Sequence, residues 1–289
     1  MSYGSQLGAQ YAALFPNNIR TLVLDGILQH SLPETANLLV DSTSYEQVMT
    51  HFFDWAGKNE SSALKGQDVK AVWTELLEKA KDAPIPALSC NNTTCRSNVN
   101  AEELLFQVQN LLVFYGAYAA IPGRSWKFLS EALLNATRGD ATSLSNDLVE
   151  GDNTFLSIGC LDWTHSTKSI SDVLAAQAML YASAPFTRGA TSTWKFQHAC
   201  LGWPVEVKNP PKKLDIKTET TVLVVTSTSD PGTGMPWALG MMDEIENAVL
   251  LVRHGDGHMS FLLGGESFSI ISEYLVTGKA PKAGIITQS

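Results

Sequence analysis

Three short apolar runs, each ended by polar or glycine-rich residues, constrain this chain most strongly. They lie at residues 21–24, 221–226 and 248–252. Asp25-Gly26 ends the first run, Asp230 lies in the polar segment after the second, and His258 lies in the loop after the third. Continuous apolar runs of this length are typical of strands that are buried on both faces of a sheet.

Helical patterns stand before, between and after these runs. Near the start of the chain, apolar residues at helical spacing predict a short buried helix; they are Leu7, Tyr11, Leu14 and Phe15. Two more patterns cover 235–247 and 268–275, on either side of the third run. Alternating helices and buried strands predict an α/β fold with a parallel sheet and right-handed crossovers.

The middle of the chain has a different character. It holds helical patterns joined by loops rich in Ser, Thr, Asn, Gly and Pro, and no convincing buried strand. The clearest patterns lie at 69–83, 101–120, 126–138 and 170–182. We therefore expect core elements at 1–29, an all-helical insertion at 30–204, and the rest of the core at 205–289.

Composition argues against several classes of protein. Apolar residues make up 44% of the 289 residues and charged residues 17%, which suits a packed core and excludes a disordered tail. The formal net charge is −9 without a basic run, so we expect no nucleic-acid partner. The longest apolar stretch, 104–121, is interrupted by Gln107, Gln109 and Asn110, and it predicts a buried helix rather than a membrane span.

The chain has four cysteines: Cys90, Cys95, Cys160 and Cys200. The favoured interpretation is two disulfides, Cys90 with Cys95 and Cys160 with Cys200, with zinc binding and free thiols as the alternatives. Zinc is disfavoured because the second pair is 40 residues apart and forms no second knuckle.

Acceptor tripeptides for N-glycosylation begin at Asn59, Asn91, Asn92 and Asn135. With the even number of cysteines, they indicate an exported ancestry. The first residues carry neither a basic segment nor an apolar one, so the chain as written shows no secretory signal and would be cytoplasmic if translated as written. The two indications conflict.

A serine near the start stands in the pattern of a nucleophile. Met1-Ser2-Tyr3-Gly4 supplies x-S-x-G of the elbow G-x-S-x-G, where small residues surround a serine on a strained turn between strand and helix. The first glycine and the preceding strand have no counterpart here. The backbone N–H of Tyr3 is the candidate oxyanion donor, and no second donor is assigned.

Asp230 and His258 complete a candidate triad. The order Ser, Asp, His, with acid and base each after a parallel strand, puts both at the carboxyl edge of the sheet. Ser2 would attack a carbonyl, His258 would take and return its proton, and Asp230 would orient the imidazole. Asp25, one strand earlier, is the rival acid.

Other polar residues receive structural interpretations. His254, Asp256 and His258 suggest a metal site only weakly, because the glycines on both sides of Asp256 favour a loop, so we expect no metal and no cofactor and assign His254 to the strand end. The remaining histidines are expected at the surface or as satisfied residues of the insertion: His30, His51, His165 and His198. An aromatic group is expected in the core of the insertion: Phe114, Tyr115 and Tyr118.

Residues 2–8, with Tyr11-Ala12, Phe15-Pro16 and 23–26, resemble the elbow region of the tripeptidyl-aminopeptidase-like α/β-hydrolases. That family shows G-x-S-Y-G-(T/S)-x-L-G, then Y-A-x-x-F-P and V-L-D-G. The C-terminal part is similar to the family's D-P-x-T-P, G-H-x-S and Y-x-x-G-x-x-P patterns. The matching residues are 230–233, 257–260, 274–275 and 278–281, together with 160–162 and 200–204 around two cysteines.

The resemblance covers nearly the whole chain. It implies an incomplete α/β-hydrolase fold, the C-terminal half of the parallel sheet, with a large all-helical cap insertion. It also implies a serine hydrolase with Ser2, Asp230 and His258 as the triad, acting on peptides from a free N-terminus. The alternatives are hydrolysis of a small acyl substrate, an ester, lactone or thioester of small-molecule biosynthesis, and a truncated product without catalytic activity.

The sequence departs from the family pattern at several points. Gly234 stands where the family often has proline, and Phe268 where many members have cysteine. The family's first strands, its second oxyanion donor and the first glycine of the elbow have no counterpart. We therefore expect a core that is truncated at the elbow and exposes sheet edge and apolar surface. The pattern assigns no oligomeric state.

Overall fold

The computed structural model describes residues 1–91, 95–114, 125–145 and 154–288. Up to residue 200 the elements are α1 (Tyr3–Leu14), β1 (Val23–Asp25), α2 (Glu34–Lys58), α3 (Val69–Asp82), β2 (Ile85–Pro86), β3 (Asn98–Val99), α4 (Ala101–Leu112), α5 (Trp126–Thr137), α6 (Thr154–Asp162), α7 (Ile170–Ser183) and α8 (Ser192–Ala199). They are followed by β4 (Val222–Ser229), α9 (Met235–Met242), β5 (Ala248–Asp256), α10 (Ser260–Leu263), α11 (Gly265–Thr277) and β6 (Ile285–Gln288).

The three apolar runs form neighbouring strands of one parallel sheet, ordered β1-β4-β5-β6. Leu24 lies opposite Val224, and Val224 lies opposite Leu250. The predicted α/β architecture is therefore confirmed, and it agrees with part of an α/β-hydrolase sheet. The fourth strand, β6, was not predicted because its apolar run is only Ile285-Ile286, too short to stand out.

Helices cover both faces of this sheet. Successive side chains of β4 point to opposite faces, and its apolar side chains are buried on both faces. Val222 and Val224 pack with α1 and α9 on one face, where Trp237 is buried. Leu223 and Val225 pack on the other face with α11, where Tyr274 is buried. The sheet is thus the middle layer of three.

Helix α1 was predicted correctly, but its buried face was not. The residues that were expected inside are exposed: Leu7, Tyr11, Leu14 and Phe15. The buried residues of α1 are instead small or polar: Ser5, Gln6, Ala9 and Ala12. The helix lies so close to β1 that a Cβ on Gly8 would come within 3.0 Å of Leu24 Cδ2, so only small side chains fit between helix and sheet.

The helices between residues 34 and 199 have a core of their own. The 25-residue helix α2 contributes Tyr45 and Phe52, and Phe52 meets Trp126 edge to face with ring centroids 5.7 Å apart. Phe114 is buried as expected, whereas Tyr115 and Tyr118 lie outside the described residues. The prediction of a purely helical segment was wrong at one place, where β2 and β3 pair antiparallel over two residues each.

Both predicted disulfides are present. Cys90 bonds to Cys95, and Cys160, in α6, bonds to Cys200, directly after α8. Among the sequons, Asn91 and Asn135 are exposed and Asn59 is half-buried, while Asn92 lies outside the described residues. In the described ranges, no helix combines the length and the apolar character needed to cross a bilayer.

The two disulfides should contribute unequally to stability. Cys160–Cys200 closes a loop of 40 residues and Cys90–Cys95 one of 5, and a longer loop removes more conformational entropy from the unfolded chain. Loop-closure entropy gives roughly 4 kcal/mol for the first and roughly 2 kcal/mol for the second. We expect the double replacement of Cys160 and Cys200 by Ala to lower the free energy of unfolding more than that of Cys90 and Cys95, as measured by urea denaturation. An equal loss in the two variants would contradict this.

Candidate active site

Ser2 lies on a strained turn directly before α1. Its backbone φ is 51° and its ψ is −132°, a conformation that residues with a Cβ rarely adopt. The turn is held by two hydrogen bonds: the Ser2 N–H donates to the Asp25 carbonyl at 2.9 Å, and the Ser5 hydroxyl donates to the Ser2 carbonyl at 2.7 Å. A serine at positive φ at the start of a helix has the backbone geometry of a nucleophile elbow.

The backbone N–H of Tyr3 is the first of α1 and so has no partner within the helix. The Tyr3 side chain is held by a residue far along the chain, since its hydroxyl donates to the carboxylate of Asp162. Burial, and then this carboxylate, raise the pKa of Tyr3 well above its usual value. Gln6 and Asn209 donate to the same carboxylate at 3.3 and 3.2 Å, so Asp162 ties the end of α6 to α1.

Asp230 and His258 are in contact at the ends of neighbouring strands. The His258 Nδ1 lies 2.8 Å from Oδ2 and 3.0 Å from Oδ1 of Asp230, and both residues are buried. Three further donors hold the carboxylate: the N–H groups of Gly232 and Thr233 and the Thr233 hydroxyl, each at 2.8 Å. With Nδ1 turned to the carboxylate, Nε2 is the ring atom left for proton transfer.

The rival acid Asp25 is buried but bonds elsewhere. Its carboxylate accepts the N–H of Ser260 at 3.0 Å and of Phe261 at 2.8 Å, which fixes the start of α10 just after His258. Burial raises the pKa of Asp25, and these two hydrogen bonds oppose that rise. The structure therefore joins Asp230, not Asp25, to the imidazole, and Asp25 supports the loop.

Two glycines allow the close contacts that the histidine loop makes with its neighbours. Gly26 has φ of +67°, and a Cβ there would lie 2.9 Å from His258 Cε1. Gly257 has φ of +109°, and a Cβ there would lie 2.9 Å from the carbonyl oxygen of Val113. That same Val113 oxygen accepts the N–H of His258 at 2.9 Å, so the residue after α4 directly holds the histidine loop.

The pKa of His258 is set by opposing effects. Burial lowers it, but the charge of Asp230, the hydrogen bond to Asp230 and the charge of Asp25 together outweigh burial, and the pKa is raised above its ordinary value. Arg253 braces the loop by donating to the carbonyls of Asp256 at 3.0 Å and Gly257 at 2.9 Å. The imidazole is thus held in an environment that stabilises its protonated form.

Ser2 and His258 line one cavity of about 390 Å³. No hydrogen bond joins the two side chains in the described part of the chain. The other lining residues come from the core and from α2, α4, α6, α8 and their loops: Tyr3, Leu28, Asn37, Asp41, Gln109, Asn110, Val113, Ile158, Gly159, Trp163, His165, Ser192, Thr193, Gln197, Gly232, Thr233 and Trp237. Its surface is mainly apolar, and none of these residues is Lys or Arg.

Several polar residues of this cavity were not predicted as functional. Asn37 and Asp41 lie on α2, which the sequence did not single out as a helix, and Gln109 lies on α4. Burial raises the pKa of Asp41 to about 6, against hydrogen bonds from Thr193, Thr191 and Gln109 that lower it. The one available signal was Gln109 itself, a polar interruption of the apolar stretch 104–121.

The other histidines lie in varied places. His51 bonds to Asp256 at 2.7 Å at the surface, and His30 is buried and donates to the Asp162 carbonyl at 2.5 Å. His165, expected at the surface or as a satisfied residue of the insertion, lines the cavity with its Nδ1 3.6 Å from Glu34 Oε1. Potential metal-ligating atoms of Cys160, His165 and Cys200 lie within 4.8 Å of one another, but the disulfide occupies both sulfurs. His198 lies against Trp194, and His254 is exposed.

Comparison with known proteins finds sequences similar to this chain. Residues 184–286 match the family model of the TAP-like proteins, and this segment contains Asp230 and His258. The chain is similar to the TAP-like proteins over this segment. It is 23% identical, over 96% of its length, to the tripeptidyl aminopeptidase of Streptomyces lividans, and 22% identical, over 98%, to the serine protease Hip1 of Mycobacterium tuberculosis.

The matches cover only part of those proteins. The alignments cover 52% of the Streptomyces protein and 56% of the Mycobacterium protein. The chain therefore spans about half the length of the curated relatives it matches.

The His258–Asp230 contact predicts a pH dependence of stability. Because the folded-state pKa of His258 is raised, its contribution to the free energy of unfolding is fully present below about pH 6.5 and is lost as pH rises through the folded-state pKa. Asp230→Asn should lower that pKa and flatten the decline. Urea denaturation from about pH 6 to about pH 9 measures this, with the exposed Asp243→Asn as control. The same decline in Asp230→Asn as in the control would contradict the assignment.

Proposed function

We propose that this chain acts as a serine peptidase, with Ser2 as nucleophile, His258 as general base and acid, and Asp230 as the orienting carboxylate. The observation that carries the proposal is the 2.8 Å contact between His258 and Asp230 in the wall of a cavity that Ser2 also lines. The elbow conformation of Ser2 and the names of the relatives support the same reaction class.

In the proposed mechanism, a substrate carbonyl enters the cavity beside Ser2. His258 Nε2 removes the hydroxyl proton as Ser2 attacks, and Asp230 stabilises the imidazolium that forms. The Tyr3 N–H, at the start of α1, stabilises the developing oxyanion together with the positive end of the helix dipole. His258 then protonates the leaving amine, and water hydrolyses the acyl-enzyme by the reverse proton transfers. No second oxyanion donor is assigned.

We further propose that the substrate is a short peptide with a free N-terminus. The relatives named as tripeptidyl aminopeptidases support this class. A cavity of about 390 Å³ is in the range of small-molecule sites, and its apolar surface suits apolar side chains. The cavity wall includes the buried carboxyl group of Asp41, and the described lining residues include no Lys or Arg. Such a wall favours the ammonium group of a free N-terminus over the carboxylate of a C-terminus.

The chain division proposed here follows from the same cavity. Residues 30–204 would form a helical cap, because α2, α4, α6 and α8 supply walls of the cavity above Ser2 and His258. Residues 1–29 and 205–289 would form the hydrolase core, since they contain all four strands of the parallel sheet.

Hydrolysis of an ester, lactone or thioester is the second candidate. The mainly apolar cavity favours it, because an apolar wall binds an acyl chain as readily as a peptide side chain. The triad chemistry would be unchanged, and only the leaving group would differ.

Covalent labelling tests the triad. A fluorophosphonate probe should label the folded protein at Ser2, and Ser2→Ala should abolish labelling because no nucleophile remains. His258→Gln should slow labelling by about four to six orders of magnitude, since the proton acceptor is lost. Mass spectrometry of the labelled peptide identifies the serine.

The matched control is His254→Gln, which changes an exposed histidine of β5, four residues before His258. It should label at the rate of the unmodified protein. Labelling that persists in Ser2→Ala would assign the nucleophile elsewhere, and a folded protein that never labels would favour the non-catalytic alternative.

A substrate panel separates the two candidate activities. We expect tripeptide anilides with a free N-terminus to be cleaved with kcat/KM at least about tenfold above their N-acetylated forms, one missing charge-assisted contact being worth about that much. Short-chain aryl esters serve as the comparison. Equal rates for free and acetylated peptides, with faster turnover of esters, would replace the peptidase by an esterase.

A further inference from the structure

The side chain of Gln109 links the helices between residues 34 and 199 to the loop that carries the acid. It is buried on α4, and its amide group has partners at both ends. Nε2 donates to the Pro231 carbonyl at 2.9 Å and to Asp41 Oδ1 at 3.2 Å. Oε1 accepts the N–H of Ser192 at 2.9 Å. These partners fix which end of the amide faces the acid loop.

The bond to Pro231 bears directly on the Asp230 carboxylate. The Pro231 carbonyl and the Gly232 N–H belong to one planar peptide group, so holding the oxygen also fixes the direction of the N–H. That N–H donates to Asp230 Oδ1 at 2.8 Å, and Asp230 in turn meets His258. Hydrogen bonds linked in this way polarise and orient one another.

The other partners of Gln109 belong to two further helices. Asp41 is fully buried and accepts the Thr193 N–H at 3.2 Å as well as the Gln109 amide, and Ser192 begins α8. Gln109 therefore joins α2, α4 and α8 to one peptide group of the acid loop. Four residues later on the same segment, the Val113 carbonyl holds the His258 N–H, so both loops of the candidate triad are attached to this helix.

We infer that Gln109 is a positioning residue of the triad: it orients the Pro231–Gly232 peptide group, and through it the Asp230 carboxylate against His258. The inference rests on the proposed function only where labelling of Ser2 is the readout. Without the amide donor, the peptide group can turn its carbonyl towards Asp230, which removes a hydrogen bond from the carboxylate and repels it.

Two substitutions separate this role from simple packing. Gln109→Met keeps the length of the side chain and removes all its hydrogen bonds. Gln109→Glu keeps an acceptor for Ser192 but presents an oxygen to Pro231 and Asp41. The matched control is Tyr45→Phe, which removes a buried hydroxyl that donates to the Leu105 carbonyl of α4 at 2.7 Å and also meets the backbone of Gln109, but leaves the bonds of the Gln109 side chain in place.

The readouts are the rate of fluorophosphonate labelling, the thermal midpoint Tm, and the downfield proton resonance of the His258–Asp230 hydrogen bond, assigned by its loss in Asp230→Asn. We expect both Gln109 variants to label at least about tenfold more slowly, a loss equal to about one hydrogen bond to a charged group. Their resonance should shift or disappear through exchange with water. Tyr45→Phe should lower Tm while keeping the rate and the resonance.

Three results would overturn the inference. The first is an unchanged resonance in both Gln109 variants, and the second is labelling of those variants at the rate of the unmodified protein. The third is a loss of labelling and of the resonance in Tyr45→Phe equal to that in a Gln109 variant of the same Tm. If the unmodified protein does not label at all, the proposed function fails and the resonance alone decides the role of Gln109. If Gln109→Met does not fold, Gln109→Glu provides the same comparison.

Discussion

The parallel pairing of β4 with β1 on one side and β5 on the other is the constraint on which the candidate site depends. Parallel strands end at the same edge of a sheet, so the residues after those strands meet there. The pairing places Asp25, Asp230 and His258 within one buried cluster although up to 233 positions separate them along the chain. Ser2 is held at the same edge because its N–H bonds to the carbonyl of Asp25.

Burying these ionisable groups is possible only because each has partners. An unpaired carboxylate in an apolar interior costs several kcal/mol or changes its protonation state. Asp230 accepts three hydrogen bonds besides that of His258, and Asp25 accepts two backbone N–H groups. The charges of both also act on Arg253. The loops around the site are therefore fixed by the same bonds that make the buried charges tolerable.

The segment between β1 and β4 contributes more than a cover over the cavity. Its helix α4 donates from Gln109 to the acid loop, and the carbonyl of Val113 accepts from the histidine loop. The segment also contains the disulfide between Cys160 and Cys200. Cys160 belongs to α6, and the last residue of α6, Asp162, accepts a hydrogen bond from Tyr3, the neighbour of Ser2. All three members of the candidate triad thus have contacts with this segment, directly or through a neighbour.

The sequence by itself determined the parallel sheet, the order Ser2, Asp230, His258, and the two cysteine pairs, because apolar runs, turn residues and family motifs are local patterns. Tertiary structure alone decided the rest. The face of α1 that is buried depends on how closely that helix approaches β1, and β6 exists because β5 offers it an edge. The choice of Asp230 over Asp25 depends on where His258 points. The positions of Asp41, Gln109 and His165 in the cavity wall arise from packing between distant helices, and no local pattern distinguishes a buried polar residue with partners from an exposed one.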